Sequence, residues 1–183
     1  MPVEIEDVLV ERIARRLSAR TGAASRAAAG AAERLLREQP EVLAFVLAGT
    51  SALGAATRAA AVALAEVIFE SFRLSGRATG PLATRAFLAA LRQNRDMALR
   101  VGQAHDRFAE RYLKHSNTLR QPALIRHVTG VLLEPDAGAR HRLPHEELGP
   151  LFIVLKSVID VLDEDCRAAP PGGDATGLSS EPA

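Results

Sequence analysis

Tryptophan is absent from this 183-residue chain, tyrosine occurs once (Tyr112), cysteine once (Cys166) and lysine twice (Lys114 and Lys156). Each scarcity removes a class of protein. A single cysteine cannot close an internal disulfide, so a secreted disulfide scaffold is excluded and a reducing, cytoplasmic setting is expected. Aromatic residues at 4% and few β-branched clusters give strands little to nucleate on. Long apolar runs are missing too. The nearest, residues 42–56, is broken by Gly49-Thr50-Ser51 and runs into Arg58, whereas a bilayer span needs roughly 20 apolar residues. The first residues carry Glu4, Glu6 and Asp7, where an export signal would be basic and then apolar, so neither export nor a membrane partner is expected.

Charge of one sign is balanced away: 23 Lys and Arg face 22 Asp and Glu, a net +1. That argues against wholesale electrostatic attraction to DNA or to a membrane surface. Motifs that carry chemistry are also lacking. The chain has no glycine-rich phosphate loop, no serine elbow between strand and helix, and no paired-cysteine metal signature. Cys166 follows Asp163, Glu164 and Asp165 at the C-terminal end of an expected helix, where both the helix dipole and the carboxylates oppose thiolate formation. No catalytic residue, metal or cofactor is therefore assigned, and a non-enzymatic role is expected.

Alanine and leucine dominate what is present, and they are the strongest helix formers. The alanine content and the excess of arginine over lysine also fit GC-rich codon usage. Ile5, Val8, Leu9, Ile13 and Leu17 recur at helical spacing, and the pattern resumes over residues 23–37 beyond Thr21-Gly22, where a break or kink is expected. Gln39-Pro40 stops that helix, because proline disfavours helical geometry in the residue before it, and Pro40 suits the first position of the next. Helices are predicted for residues 40–48, 55–74, 82–115, 122–133 and 146–166. The prediction is all-α: about six helices in one domain, residues 1–168, followed by a disordered tail over 169–183, whose Pro, Gly, Ser and Thr can bury nothing.

The two halves rhyme. Two of the four glutamines precede proline, Gln39-Pro40 and Gln121-Pro122, each after a long amphipathic stretch and before a short apolar one. Residues 3–76 and 81–167 are accordingly expected to form two pseudo-repeated three-helix units in one bundle.

Two groups of residues are candidates for function. On the predicted helix 82–115, Arg85, Arg92, Arg100, Arg107, Arg111 and Lys114 fall in an arc opposite the apolar side, a surface for an anionic partner. The charge is regional: residues 71–127 hold eleven Lys or Arg against three acids, a balance of +8. The second group is a pocket of His105, His127 and Tyr112. His105 falls on the apolar side of its helix, and His127 aligns with Phe45 across the repeat. A metal is not assigned, since His105, Glu110 and His115 are five apart and point in different directions, and Pro144 keeps His141 and His145 off a common helix face. The leading expectation is a helical interaction or adaptor module that self-associates or binds a protein. The alternatives are a nucleic-acid binder using the basic face of 82–115, and a small-molecule or metal binder using the histidine region 105–145.

Overall fold

The computed structural model describes residues 4–19, 24–76, 80–102, 120–133 and 143–168, and all regular structure among them is helical. In chain order the helices are α1 (Asp7–Ala19), α2 (Ala24–Glu38), α3 (Pro40–Gly49), α4 (Ala55–Leu74), α5 (Thr84–Gly102), α6 (Pro122–Leu133) and α7 (His145–Ala168). The all-α prediction holds, with two differences at helix boundaries. First, α1 stops at Ala19 and α2 begins at Ala24, so the described helices number seven rather than about six. Threonine and glycine, both poor helix formers, occupy the intervening sequence. Second, the helix expected over 82–115 is described only as α5. Residues 103–119, with His105, Arg107, Arg111, Tyr112 and Lys114, lie outside the described residues, as does the tail 169–183.

Helices α4 and α7 pack against each other at the centre. Both are apolar on nearly every side, which is the pattern of a buried helix: Val62, Leu64, Ile68, Phe69 and Phe72 on α4, and Leu151, Phe152, Leu155, Val158, Ile159 and Leu162 on α7, are all buried. Each such side chain contributes about 1.5–3 kcal/mol when fully withdrawn from water. Around this pair, α1 and α2 lean on α4, α5 lies along α7, α3 touches α2, α4 and α7, and α6 joins α1 to α7. Phe45 of α3 stacks on Phe87 of α5 with ring centroids 4.9 Å apart.

Local chemistry fixes the ends of α4. Gly54 precedes it and has no side chain with which to cap it. Glu147 of α7 does so instead: its Oε1 accepts the Gly54 N–H at 2.9 Å and its Oε2 accepts the Thr57 hydroxyl. At the other end Gly76 takes φ +77°, a left-handed turn that lacks the Cβ penalty only in glycine. Glycine is also needed where α3 meets α7. A Cβ at Gly49 would lie 2.9 Å from Cγ2 of the buried Val154.

Candidate functional site

Helix α5 presents two unlike sides. Phe87 and Asn94 are buried against the bundle, with Leu91 and Met97 half-buried beside them. The opposite side carries Arg85, Leu88, Arg92, Arg95, Leu99 and Arg100, all exposed. At 3.6 residues per turn, Arg85, Leu88, Arg92, Arg95 and Leu99 fall within an arc of about 80°, a single stripe about 21 Å long. Leu88 and Leu99 are 44% and 63% exposed, a large apolar area to leave between arginines. Arg85, Arg92 and Arg100 belong to the arc expected from sequence, whereas Arg95, with Leu88 and Leu99, lies beyond it, about 60° from Arg92 around the helix.

Among the described residues, none of these four guanidinium groups enters an ion pair. Asp96 lies on the same helix, four residues from Arg92 and four from Arg100, yet bridges to neither. Arg12 and Arg58 are likewise exposed and form no ion pair among the described residues, but several other arginines do. Arg16 and Arg73 both reach Glu70 (2.9 Å for Arg16 Nη2 and 2.7 Å for Arg73 Nε), Arg34 pairs with Glu66, and Arg126 Nη2 donates to Asp7 Oδ2 at 2.6 Å. The hydrogen bond from Arg73, with the Coulombic pull of Arg73, Arg16 and Arg34, holds the Glu70 carboxyl below its ordinary value. The same contacts raise Arg34, through Glu66, and Arg73, through Glu70.

Beneath the stripe lies a buried polar lattice. Asn94 donates through Nδ2 to Ser157 Oγ at 3.1 Å and to Asp160 Oδ2 at 2.9 Å, and Lys156, itself buried, pairs with the other oxygen of Asp160. A second joint centres on Gln121, which takes φ +57°, a conformation that costs a non-glycine residue about 1–2 kcal/mol. Its side chain holds it there. Oε1 accepts the Ile5 N–H at 2.9 Å, and Nε2 donates to Oδ1 of the fully buried Asp163 at 2.6 Å. Arg167 Nε lies 2.9 Å from the other Asp163 oxygen, as an ion pair and not as an aligned hydrogen bond. Gln39, the other glutamine before a proline, donates to the Gly80 carbonyl at 3.2 Å. These groups answer one another and lock the helices in register, because a buried polar group stabilises only when satisfied.

Of the expected pocket, only His127 falls among the described residues. It is half-buried on α6, and burial lowers its pKa while the nearby charge of Glu11 raises it. Among the described residues no three of His, Cys, Asp and Glu gather where a metal could be held, and no helix is long and apolar enough to cross a membrane. The sequence prediction passed over Asn94, Glu66, Lys156 and Asp163. A signal for each existed: a polar or charged residue standing in an otherwise apolar helical face. Compared with protein-family models, curated proteins and solved structures, the chain matches none.

Proposed function

We propose that this chain is a non-enzymatic helical interaction module that docks a protein on the outer side of α5. The observation that carries the proposal is the exposed stripe of arginines, unpaired among the described residues, with leucines interleaved. Surface arginines without partners keep their full hydrogen-bonding capacity for an incoming carboxylate, and interleaved leucines reward burial. A nucleic acid would use the arginines but gain nothing from Leu88 and Leu99, so the protein partner is favoured. A cytoplasmic location, expected from the lone cysteine, belongs to the same proposal. A photo-crosslinking residue at position 88 or 99, introduced in cells, tests it. Discrete protein adducts are expected there and not at the exposed control positions Glu33 and Ala52. Adducts to nucleic acid alone, or the same adducts at every position, would refute it.

We further propose that the bundle is two related units, 3–76 and 81–167, about a pseudo-twofold axis. Two features support this. Both glutamines before Pro40 and Pro122 are buried. Each reaches the segment leading into the first helix of the other half, Gln121 to Ile5 and Gln39 to Gly80. The roles differ: Gln121 accepts the Ile5 N–H, whereas Gln39 donates to the Gly80 carbonyl, the Gly80 N–H being bonded to Asp165 Oδ2 at 3.1 Å. An experimental structure in which Pro40 and Pro122 do not superpose at equivalent helix starts would overturn the duplication.

A further inference from the structure

The make-up of the stripe indicates what kind of protein it takes, an inference that rests on α5 being the docking face. We propose that Arg85, Leu88, Arg92, Arg95 and Leu99 bind an acidic amphipathic helix of a partner protein, its apolar row on the leucines and its carboxylates on the arginines. The five residues follow one another at intervals of three, four, three and four, the spacing by which one helix presents a continuous seam to another. Leu88 and Leu99 stand three turns apart on that seam, so they require two apolar contacts about 16 Å apart, which a helix of similar length supplies. Arg92 and Arg95 lie between them and face the centre of any helix laid along the row.

Two features argue against a polyanion in the same place. Phosphate backbones offer no apolar surface for the leucines, and the stripe has no aromatic residue on which a base could stack. Asp96, exposed at one border of the stripe, places a fixed negative charge where a uniform polyanion would be repelled. A protein helix can set a neutral or basic residue opposite Asp96 and acidic residues opposite the arginines, so Asp96 also sets the register. No internal ion pair among the described residues has to break for the arginines to engage.

Fluorescence anisotropy on the full chain tests the inference. The probe is a synthetic helical peptide of about 18 residues, long enough to cover the stripe, with leucines at three- and four-residue spacing flanked by glutamates. The controls are the same peptide with lysine for glutamate, and a 20-base-pair DNA duplex (about 68 Å long). The acidic peptide should bind, and its affinity should weaken about tenfold between roughly 50 and 300 mM salt, as charge-driven contacts are screened. Arg92→Glu with Arg95→Glu should weaken it at least about tenfold. Leu88→Ser with Leu99→Ser should weaken it by a similar factor while the salt dependence persists. All four residues are exposed, so an unchanged circular dichroism spectrum is expected for both variants.

The inference is overturned if the leucine variant binds the acidic peptide as well as the parent chain does. It is equally overturned if the duplex binds more tightly than the peptide and is lost on charge reversal. Protein crosslinks at positions 88 and 99 together with no acidic-peptide binding would discard this partner class and leave the interaction-module proposal standing.

Discussion

Most described arginines of α1, α2 and α4 are paired, Arg12 and Arg58 excepted, whereas those exposed on α5 form no ion pair among the described residues. On α1, α2 and α4, Arg15, Arg16, Arg34, Arg37 and Arg73 each meet a glutamate, three of them at three- or four-residue spacing on their own helix. On α5, Arg85, Arg92, Arg95 and Arg100 meet none among the described residues. The contrast teaches that a tally of charges says little until each is assigned a partner. Of the paired arginines, Arg16 and Arg34 link α1 and α2 to α4 through Glu70 and Glu66, which are mostly withdrawn from solvent. Those exposed on α5 make no such link among the described residues, which is what the proposed docking face requires.

If the interior polar joints hold the bundle and the α5 stripe does not, substitutions at the two should separate widely. The largest effect is expected for Asp163→Ala. It removes the acceptor of the Gln121 Nε2 group inside the bundle and the ion-pair partner of the exposed Arg167, and it releases a contact that helps keep Gln121 in a left-handed conformation. A loss of about 3 kcal/mol in urea unfolding follows from removing one member of such a buried set. A change below about 0.5 kcal/mol, the range of ordinary surface substitutions, would mean that the joint is ornamental.

Gly49→Ala should come next. Replacing glycine by alanine in a helix ordinarily gains up to about 1 kcal/mol. Here the new methyl meets Val154, branched at Cβ and buried, so the sign reverses to a net loss of about 1–2 kcal/mol. Double-mutant analysis with Val154→Ala should show coupling between the two positions, and strict additivity would contradict the close approach.

A smaller effect is expected with pH. Burial lowers the pKa of His127 in the folded state, so between its ordinary value of 6.5 and that lowered value the unfolded chain binds more protons than the folded one. Stability should therefore be undiminished by this group above pH 6.5 and fall as the pH drops through that window. His127→Gln should flatten the fall. Glu70 acts further into acid: its carboxyl is held low by Arg73, so its contribution is lost only as the pH falls through that lowered value. An unchanged pH profile in His127→Gln would show that the half-buried imidazole titrates as it does in the unfolded chain.

The smallest effect belongs to the stripe. Arg92→Ser and Arg95→Ser should each change the unfolding free energy by less than about 0.5 kcal/mol, since neither arginine has a partner to lose among the described residues. A larger loss would break the comparison, because it would mean that the α5 arginines fasten the fold as those facing α4 do.

Much of this was legible in sequence, and unevenly so. Alanine and leucine periodicity, with Gln39-Pro40 and Gln121-Pro122 as punctuation, is enough to place most helices within a few residues, because local propensity and proline geometry act over single turns. The outward side of α5 was legible for the same reason, since helical spacing alone sorts Arg85, Arg92 and Arg100 from Phe87 and Leu91. Its lack of ion pairs among the described residues was not, because pairing depends on which helix lies opposite. Arg34 and Glu66 are 32 residues apart, and Arg126 and Asp7 are 119 apart.

The sequence by itself determined that the chain is helical, where most helices start and stop, and that Arg85, Arg92 and Arg100 turn outward on α5. Those properties follow from backbone preferences and from a period of 3.6 residues, both of which are local. Only the tertiary structure decided that α4 and α7 form the centre, that Glu147 caps a helix begun by Gly54, that Gln121 clasps Ile5 and Asp163, and that the exposed α5 arginines form no ion pair among the described residues. Each of these depends on groups brought together from distant parts of the chain, and the free energy of such a contact exists only once the intervening helices have packed.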